Sequence, residues 1–523
     1  MNTQVRNKVA RNSIINGLSF FLNAILGVAN VTLIVRFLGI EAQGMVAATK
    51  LLSIAGYFSV FSLGIPTIIS RKTAALLHQD KKEELRHWLF SATFIALAMG
   101  LLCSLLLGFG FLNLEKGSVF HFFVNESLGI RTQKAVLGIL IFSLPFQFLS
   151  LVSQSTLIGL QNFAAVRVTE IYSTLGGLIL TGLCLWQGWG VHYLIVGILI
   201  IDWSRYFLLI LAASRFFSLS WIAGGQYGPI RKEFKLELKV CVLSSFIAFL
   251  DNTAPAFVVG KILGATGLGL FDTISRVSKA VKAAFSFLSS ALVPYAVGLE
   301  AKKGQKDTVK IFLKVNFLIC AILFPCTFLQ AALARPLLLA WLGPDLLPYS
   351  SHLALASMTL IFAVLIGMQG GFFSAQIQVI RKMTWVNAWE NIIGLPLLYW
   401  QATTMGLFGI FLNRFLVAAF GFIPRFQAIT TSYHLTWKQL GRNIRFPLLT
   451  SIFMSAVVFA VVSQFGDQLM PALIVSLLAA LMYIAAQIRY ATADEREIMN
   501  RFWVHLRSVF VHHQTSGEGV SYE

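Results

Sequence analysis

Basic side chains stand where this chain is otherwise apolar, and their spacing suits the capture of an anion. In the apolar stretch Leu270–Val297, Asp272, Arg276 and Lys279 recur at i, i+4 and i+7, so they share one helix face, and Lys282 continues that stripe. Lys50 and Arg414 lie within other apolar stretches, and Arg36 and Lys261 close two more. A Lys or Arg near a bilayer centre costs roughly 2.5–3.5 kcal/mol on insertion scales, which makes an ionisable group there a functional candidate by default. Gathered in a water-filled cleft, such groups would hold a phosphate or carboxylate through charge-assisted hydrogen bonds. Asp251 and Asp272 are carboxylates within apolar stretches, where burial would favour taking up a proton or another cation. Asn16, Asn23 and Asn30 recur every seventh residue and form one polar stripe.

The substrate-binding candidates are therefore Lys50, Arg276, Lys279, Lys282, Arg414, Arg36, Lys261, Asn23 and Asn30, with Asp251 and Asp272 as coupling candidates. Plainer roles stand beside these. Arg36 and Lys261 can snorkel from span ends. Asp272 can form an intrahelical ion pair with Arg276. The asparagines can serve hydrogen bonding between helices. Lys279 and Lys282 are read as having no carboxylate partner on their own helix. Glu170, Asp202 with Arg205, and Glu390 are read as lying nearer cytoplasmic helix ends and are assigned to packing or topology.

The elements that must position these groups are membrane helices. The chain is 57% hydrophobic and 12% charged, against about 25% charged in a soluble domain. Its apolar residues fall in runs of roughly 20, the length that crosses a hydrocarbon core of about 30 Å. A window reading gives an all-α polytopic membrane protein with about 14 transmembrane helices. The first six run Ser13–Phe37, Met45–Ser70, Trp88–Leu112, Ala135–Leu157, Val168–Trp186 and Val191–Ala213. The next six run Leu238–Gly260, Leu270–Val297, Ile311–Ala334, Ser351–Ala375, Trp385–Ala402 and Leu407–Gln427. Phe446–Phe465 and Leu469–Ile488 complete the set. The first stretch is too long for a signal peptide's apolar region and is interrupted by asparagines, so it reads as an uncleaved span.

Alternate loops carry most of the basic residues, among them Arg71, Lys72, Lys81 and Lys82, then Lys302, Lys303 and Lys306, then Lys438, Arg442 and Arg445. The positive-inside rule places these loops and both termini in the cytoplasm. The net charge of +19 is thus topological, and no nucleic-acid partner is expected. Cys103, Cys184, Cys241, Cys320 and Cys326 all lie in apolar segments without a CxxC, and read as small buried hydrophobes. No metal site and no cofactor are expected. Without a GxxxxGK[ST] motif, direct ATP drive is not expected either.

An internal repeat organises the spans. Arg36-Phe-Leu-Gly39 with Gly44, and Lys261-Ile-Leu-Gly264 with Gly269, match at a constant offset of 225. Each copy follows a span and precedes a long span and a Lys-rich loop. The repeat implies two pseudo-symmetric six-helix lobes plus two C-terminal helices, the lobes related by an axis along the membrane normal. The expected parts are an N-lobe over residues 1–213, a cytoplasmic linker over 214–237 and a C-lobe over 238–427. Two further spans fill 446–488, and an amphipathic cytoplasmic tail fills 489–523.

These features resemble the polysaccharide-transporter, Wzx-like branch of the multidrug/oligosaccharidyl-lipid/polysaccharide (MOP) flippase superfamily. The resemblance is carried by the span layout, the intramembrane Lys and Arg, Arg36–Gly44, Leu63-Gly-Ile-Pro66 and Ser70-Arg-Lys72. It implies a non-enzymatic flippase moving undecaprenyl-diphosphate-linked oligosaccharide units, such as O-antigen, across a bacterial inner membrane by alternating access. The implied partners are the lipid-linked anionic glycan, membrane lipids, a proton or sodium ion for coupling, and a polysaccharide polymerase. A multidrug/ion antiporter of the same superfamily and a membrane-embedded polysaccharide polymerase are the alternatives. The former usually presents an acidic cavity, and the latter would need an outward catalytic domain that the loops are too short to hold.

Overall fold

The computed structural model describes residues 3–112, 130–214, 242–372, 377–464 and 468–490, apart from Leu63, Asp80, Ser244 and Gly304. The linker beyond Ser214, Cys241, Lys116 and the tail positions Ile498, Phe502, Leu506 and Val509 lie outside the described residues. The described residues are helical nearly throughout, with no strand among them. Eleven of their helical stretches are long and apolar enough to cross a membrane. Three of these, Ser19–Leu51, Ser245–Lys282 and Arg381–Tyr433, each run from one expected span into the next, which reconciles the eleven with the about 14 read from the sequence. The chain is a multi-pass membrane protein.

Those three stretches are bent at glycine. Helix α1, Thr3–Leu51, departs from helical geometry at Gly39 (φ 86°, ψ 167°). The helix Ala254–Lys303, here α7, does so at Gly264 (φ 66°, ψ −163°). Positive φ at little cost is a property of glycine, and the two repeat positions share it with nearly the same ψ. The second glycine of each copy does something different. A Cβ built on Gly44 would lie 1.8 Å from the Ala265 carbonyl oxygen, and one on Gly269 would lie 2.2 Å from the Ile40 carbonyl oxygen. Ile40 and Ala265 are themselves repeat partners, so two equivalent helix segments cross backbone to backbone. Small residues permit such approach in membranes.

The second expected span, Met45–Ser70, is not one helix. α1 ends at Leu51, the chain turns through Leu52–Gly56, and a 3₁₀ segment Tyr57–Ser62 precedes α2, Ile65–His78. Gly64 takes a positive φ of 71° just before α2. The freed backbone groups find side chains, as apolar surroundings require. The Ile54 N–H donates to Gln147 Oε1 at 2.9 Å, and Ser53 Oγ donates to the Lys50 carbonyl at 2.7 Å. Lys50 is thus the last-turn residue of a broken helix rather than a residue inside an intact span.

The remaining helices are α3 (Lys82–Leu112), α4 (Ile130–Gly159), α5 (Phe163–Trp186) and α6 (Val191–Ser214), followed beyond α7 by α8 (Gln305–Ala332) and α9 (Ala334–Leu342). α10 (Ser350–Phe372), α11 (Ile377–Tyr433), α12 (Trp437–Gln464) and α13 (Leu469–Tyr490) complete the order. Packing divides the chain into two units, Met1–Leu288 with Thr384–Val417, and Ser289–Met383 with Ala418–Glu523. In the first unit α3 lies along α4, α4 against α6, and α5 between α1 and α6, over a core that includes Trp88, Leu144 and Phe148. In the second, α8 packs on α10 and α12, and α13 covers α12. Cys103, Cys184 and Cys320 are buried, whereas Cys326 is exposed on α8, so it is not the buried hydrophobe expected.

Candidate functional site

Both arms of α1 contribute to one polar cavity of the first unit. Before the Gly39 bend, Asn23, Gly27 and Asn30 follow i, i+4, i+7 spacing and line it together. After the bend, Lys50 reaches the same space at the helix break, and Arg276 enters from α7. Ser173 of α5 and Asp202 of α6 close the wall around about 180 Å³. A smaller cavity bounded by Thr49, Ser143, Gln147 and Tyr206 shares Lys50 and Asp202 with it. Lys50 is exposed although Val46, Ala47, Ala48 and Thr49 before it are buried, and among the described residues its ammonium makes no ion pair or hydrogen bond.

Arg276 is held more firmly. Its Nε donates to Asp272 Oδ2 at 3.0 Å, and its Nη1 approaches the Gly27 carbonyl at 3.5 Å. Gln43 Nε2 donates to the same Asp272 oxygen at 2.9 Å, tying α7 to α1. Lys279 Nζ lies 3.7 Å from Asp272 Oδ1. This corrects the expectation that Lys279 lacks a carboxylate on its own helix: two turns separate the pair, within reach of a lysine stem. Asp272 therefore orients two cations, and the donors of the Arg276 fork that Asp272 leaves unused can serve an anion.

The other candidates fall elsewhere. Arg414 Nη1 donates to the Asp251 carbonyl at 2.8 Å, and Asn391 Nδ2 donates to Asp251 Oδ1 at 2.7 Å. Lys282 is exposed and within electrostatic range of Arg414 and Asp251, so these four form a second cluster. Arg36 and Lys261 are exposed, each three residues before a bend glycine. Asn30 accepts a hydrogen bond from Thr181 at 2.6 Å, an interhelical role, while Asn23 Oδ1 is buried without a hydrogen-bond partner among the described residues. The side chain of Asn16 lies outside the described residues.

Asp202 departs from two expectations, a place near a helix end and a pairing with Arg205. Arg205 pairs with Glu170 at 3.8 Å, in a group that Arg167 joins at 2.5 Å. Asp202 instead accepts from Ser173 Oγ at 2.7 Å and faces the cavity. The signal was its position: Asp202 falls at the middle of Val191–Ser214, not near an end.

A polar cavity with an ammonium unpaired among the described residues, an oriented guanidinium and a carboxylate opposite can bind a charged group and exchange it for an internal partner. Residues 9–300, more than half of the chain's 523, match the family described as polysaccharide biosynthesis protein. The chain belongs to this family. Its fold is that of the MOP superfamily. The lipid II flippase MurJ in an inward closed conformation superposes with a TM-score of 0.71 at 16% identity, over 91% of this chain and 99% of that chain. An inward-facing multidrug resistance MATE family transporter gives 0.60 at 14% identity, over 80% and 99% of the two chains. A MOP superfamily transporter from Pyrococcus furiosus, described as having a binding pocket of reverse polarity, gives 0.51 at 13% identity, over 81% and 96%. No curated protein matches the chain. The family and fold are those the sequence resemblance implied.

Proposed function

We propose that this family member flips undecaprenyl-diphosphate-linked oligosaccharide units from the cytoplasmic to the periplasmic leaflet of a bacterial inner membrane, with both termini cytoplasmic. The observation that carries this reading is the pairing of Lys50 and Arg276 in one cavity, with the Lys50 ammonium unpaired. The two cations come from equivalent spans of the repeat, so a diphosphate can be gripped from two sides. Charge-assisted hydrogen bonds from an ammonium and a guanidinium suit that headgroup better than a cationic drug. Asp202 acts as the counter-ion of the empty site and gives way when phosphate arrives. The six-helix lobes expected from the repeat are the halves that rock in alternating access.

The test is a leaflet-resolved flipping assay in proteoliposomes, using a short lipid-diphosphate glycan. Wild-type protein should move it well above protein-free vesicles, and Lys50→Ala/Arg276→Ala should reduce transport to background while inserting normally. Full transport by the double variant, or movement of organic cations in place of the glycolipid, overturns the reading and favours the antiporter.

A further inference from the structure

The second unit carries a groove that the transport site does not use. α12 begins at Trp437, and Lys438, Arg442 and Arg445 follow at i, i+4 and i+7 along one exposed face. Together with Phe422 and Leu449 they line an open groove of about 620 Å³. Its floor is apolar and ordered: Phe426 lies 4.2 Å from the Trp437 ring and Phe422 stands edge-on to that ring at 6.4 Å. The opposite face of α12 is engaged within the unit, where Asn443 accepts from Asn316 at 2.9 Å and Pro447 and Ser451 are buried.

The charges of this groove are unbalanced. No Asp or Glu occurs between Glu390 and Asp467, and none of the three cations makes an ion pair among the described residues. The length of α12 places them at depth. A helix of 28 residues spans about 42 Å against a hydrocarbon core of about 30 Å. Its polar first turns therefore lie at headgroup level, with Trp437 at the interface where tryptophan is favoured. A row of cations beside an aromatic and aliphatic floor that ends in the deeper Leu449 matches one molecule in both parts, a phosphate-bearing lipid.

We infer that the groove between the C-terminal part of α11 and the start of α12 is a binding site for an anionic phospholipid. Lys438, Arg442 and Arg445 take the headgroup phosphate, Trp437 packs at the interface beside it, and Phe422 and Leu449 take the proximal acyl chain. Each cation near an anionic headgroup contributes about fivefold in affinity, so three give a preference of roughly a hundredfold for anionic over zwitterionic lipid.

The experiment uses the full chain, purified in detergent and titrated with phosphatidylglycerol or phosphatidylcholine, with lipid retention counted by native mass spectrometry. Wild type should retain phosphatidylglycerol selectively. Lys438→Gln/Arg442→Gln/Arg445→Gln should lose that selectivity, and Arg442→Lys/Arg445→Lys should keep most of it. Equal retention of both lipids, or selectivity undiminished in the triple Gln variant, overturns the inference. A photoreactive residue at Leu449 identifies the occupant. A phospholipid adduct supports the site; an adduct to this chain's own terminal segment or to a second copy overturns it.

Discussion

At the scale of single residues, the polar network around Asp272 separates grip from scaffolding. Lys50 is free to meet a substrate, whereas Arg276 and Lys279 are both referred to Asp272. Lys279→Arg should keep most of the flipping rate and Lys279→Ala should lower it severalfold, as measured in proteoliposomes, if charge at that position matters. Asp272→Asn should be more damaging than either, because it removes the charge that orients both cations and leaves the part-buried Arg276 without its counter-ion. Leaving a charge without its partner typically costs about 3–5 kcal/mol when the site is fully buried and less here, where about a fifth of each Asp272 and Arg276 side chain is exposed. Its signature is a lower unfolding temperature together with lost transport. Asp251 calls for a different measurement. If it carries the coupling proton, Asp251→Asn abolishes the pH dependence of transport; a pH profile that survives the change removes it from consideration.

Much of this site was legible in the sequence because ionisable residues are rare in apolar runs. Lys50, Arg276 and Asp272 announced themselves by cost. What spacing along one helix does not encode is which carboxylate a cation meets across helices, so the links from Gln43 to Asp272 and from Ser173 to Asp202 needed the fold. The grouping of Arg414 and Lys282 around Asp251 was hidden for the same reason.

At the scale of elements, glycine and hydrogen-bond supply decide where helices bend and break. The run Met45–Ser70 reads as a continuous span because its hydropathy is continuous. Gly56, Gly64 and Pro66 were the local signals against it, and Gln147 on α4 supplies the acceptor that makes the break tolerable. Gln147→Leu should therefore destabilise the protein by about 1–3 kcal/mol, the cost of a buried N–H left without a partner. Thermal unfolding in detergent would register it. The glycines can be told apart the same way. Gly44→Ala drives a methyl group into backbone and should cost at least about 3 kcal/mol. Gly108→Ala on α3, where a Cβ meets nothing within 4 Å, should be neutral or stabilising by up to about 1 kcal/mol.

At the scale of the whole molecule, the about 14 spans were legible because membrane thickness imposes a length that composition reveals, and the repeat because its glycines occupy matched bends. Orientation is open to direct measurement. Single cysteines placed at Lys81 and Lys438 should be blocked by an impermeant thiol reagent only after the cells are opened, since both loops are expected on the cytoplasmic side. Labelling of either position in intact cells would reverse the topology.

The crossing of Gly44 with Gly269 also has a mechanical meaning. Two segments whose backbones touch cannot slide apart far, so in the alternating access proposed above they would serve as a fulcrum for rocking. Travel about a fulcrum grows with the length of the arm. Lys50 lies six residues from Gly44, and Arg276 seven from Gly269, each about 10 Å along its helix. A rotation of about 10° would move either cation by only about 2 Å, while helix ends about 30 Å away would sweep about 5 Å. Under the proposed flippase function, gates at the helix ends would exchange open for shut while the two cations keep their hold on the same headgroup, so that a heavy glycan would be handed from one side to the other without being dropped between them.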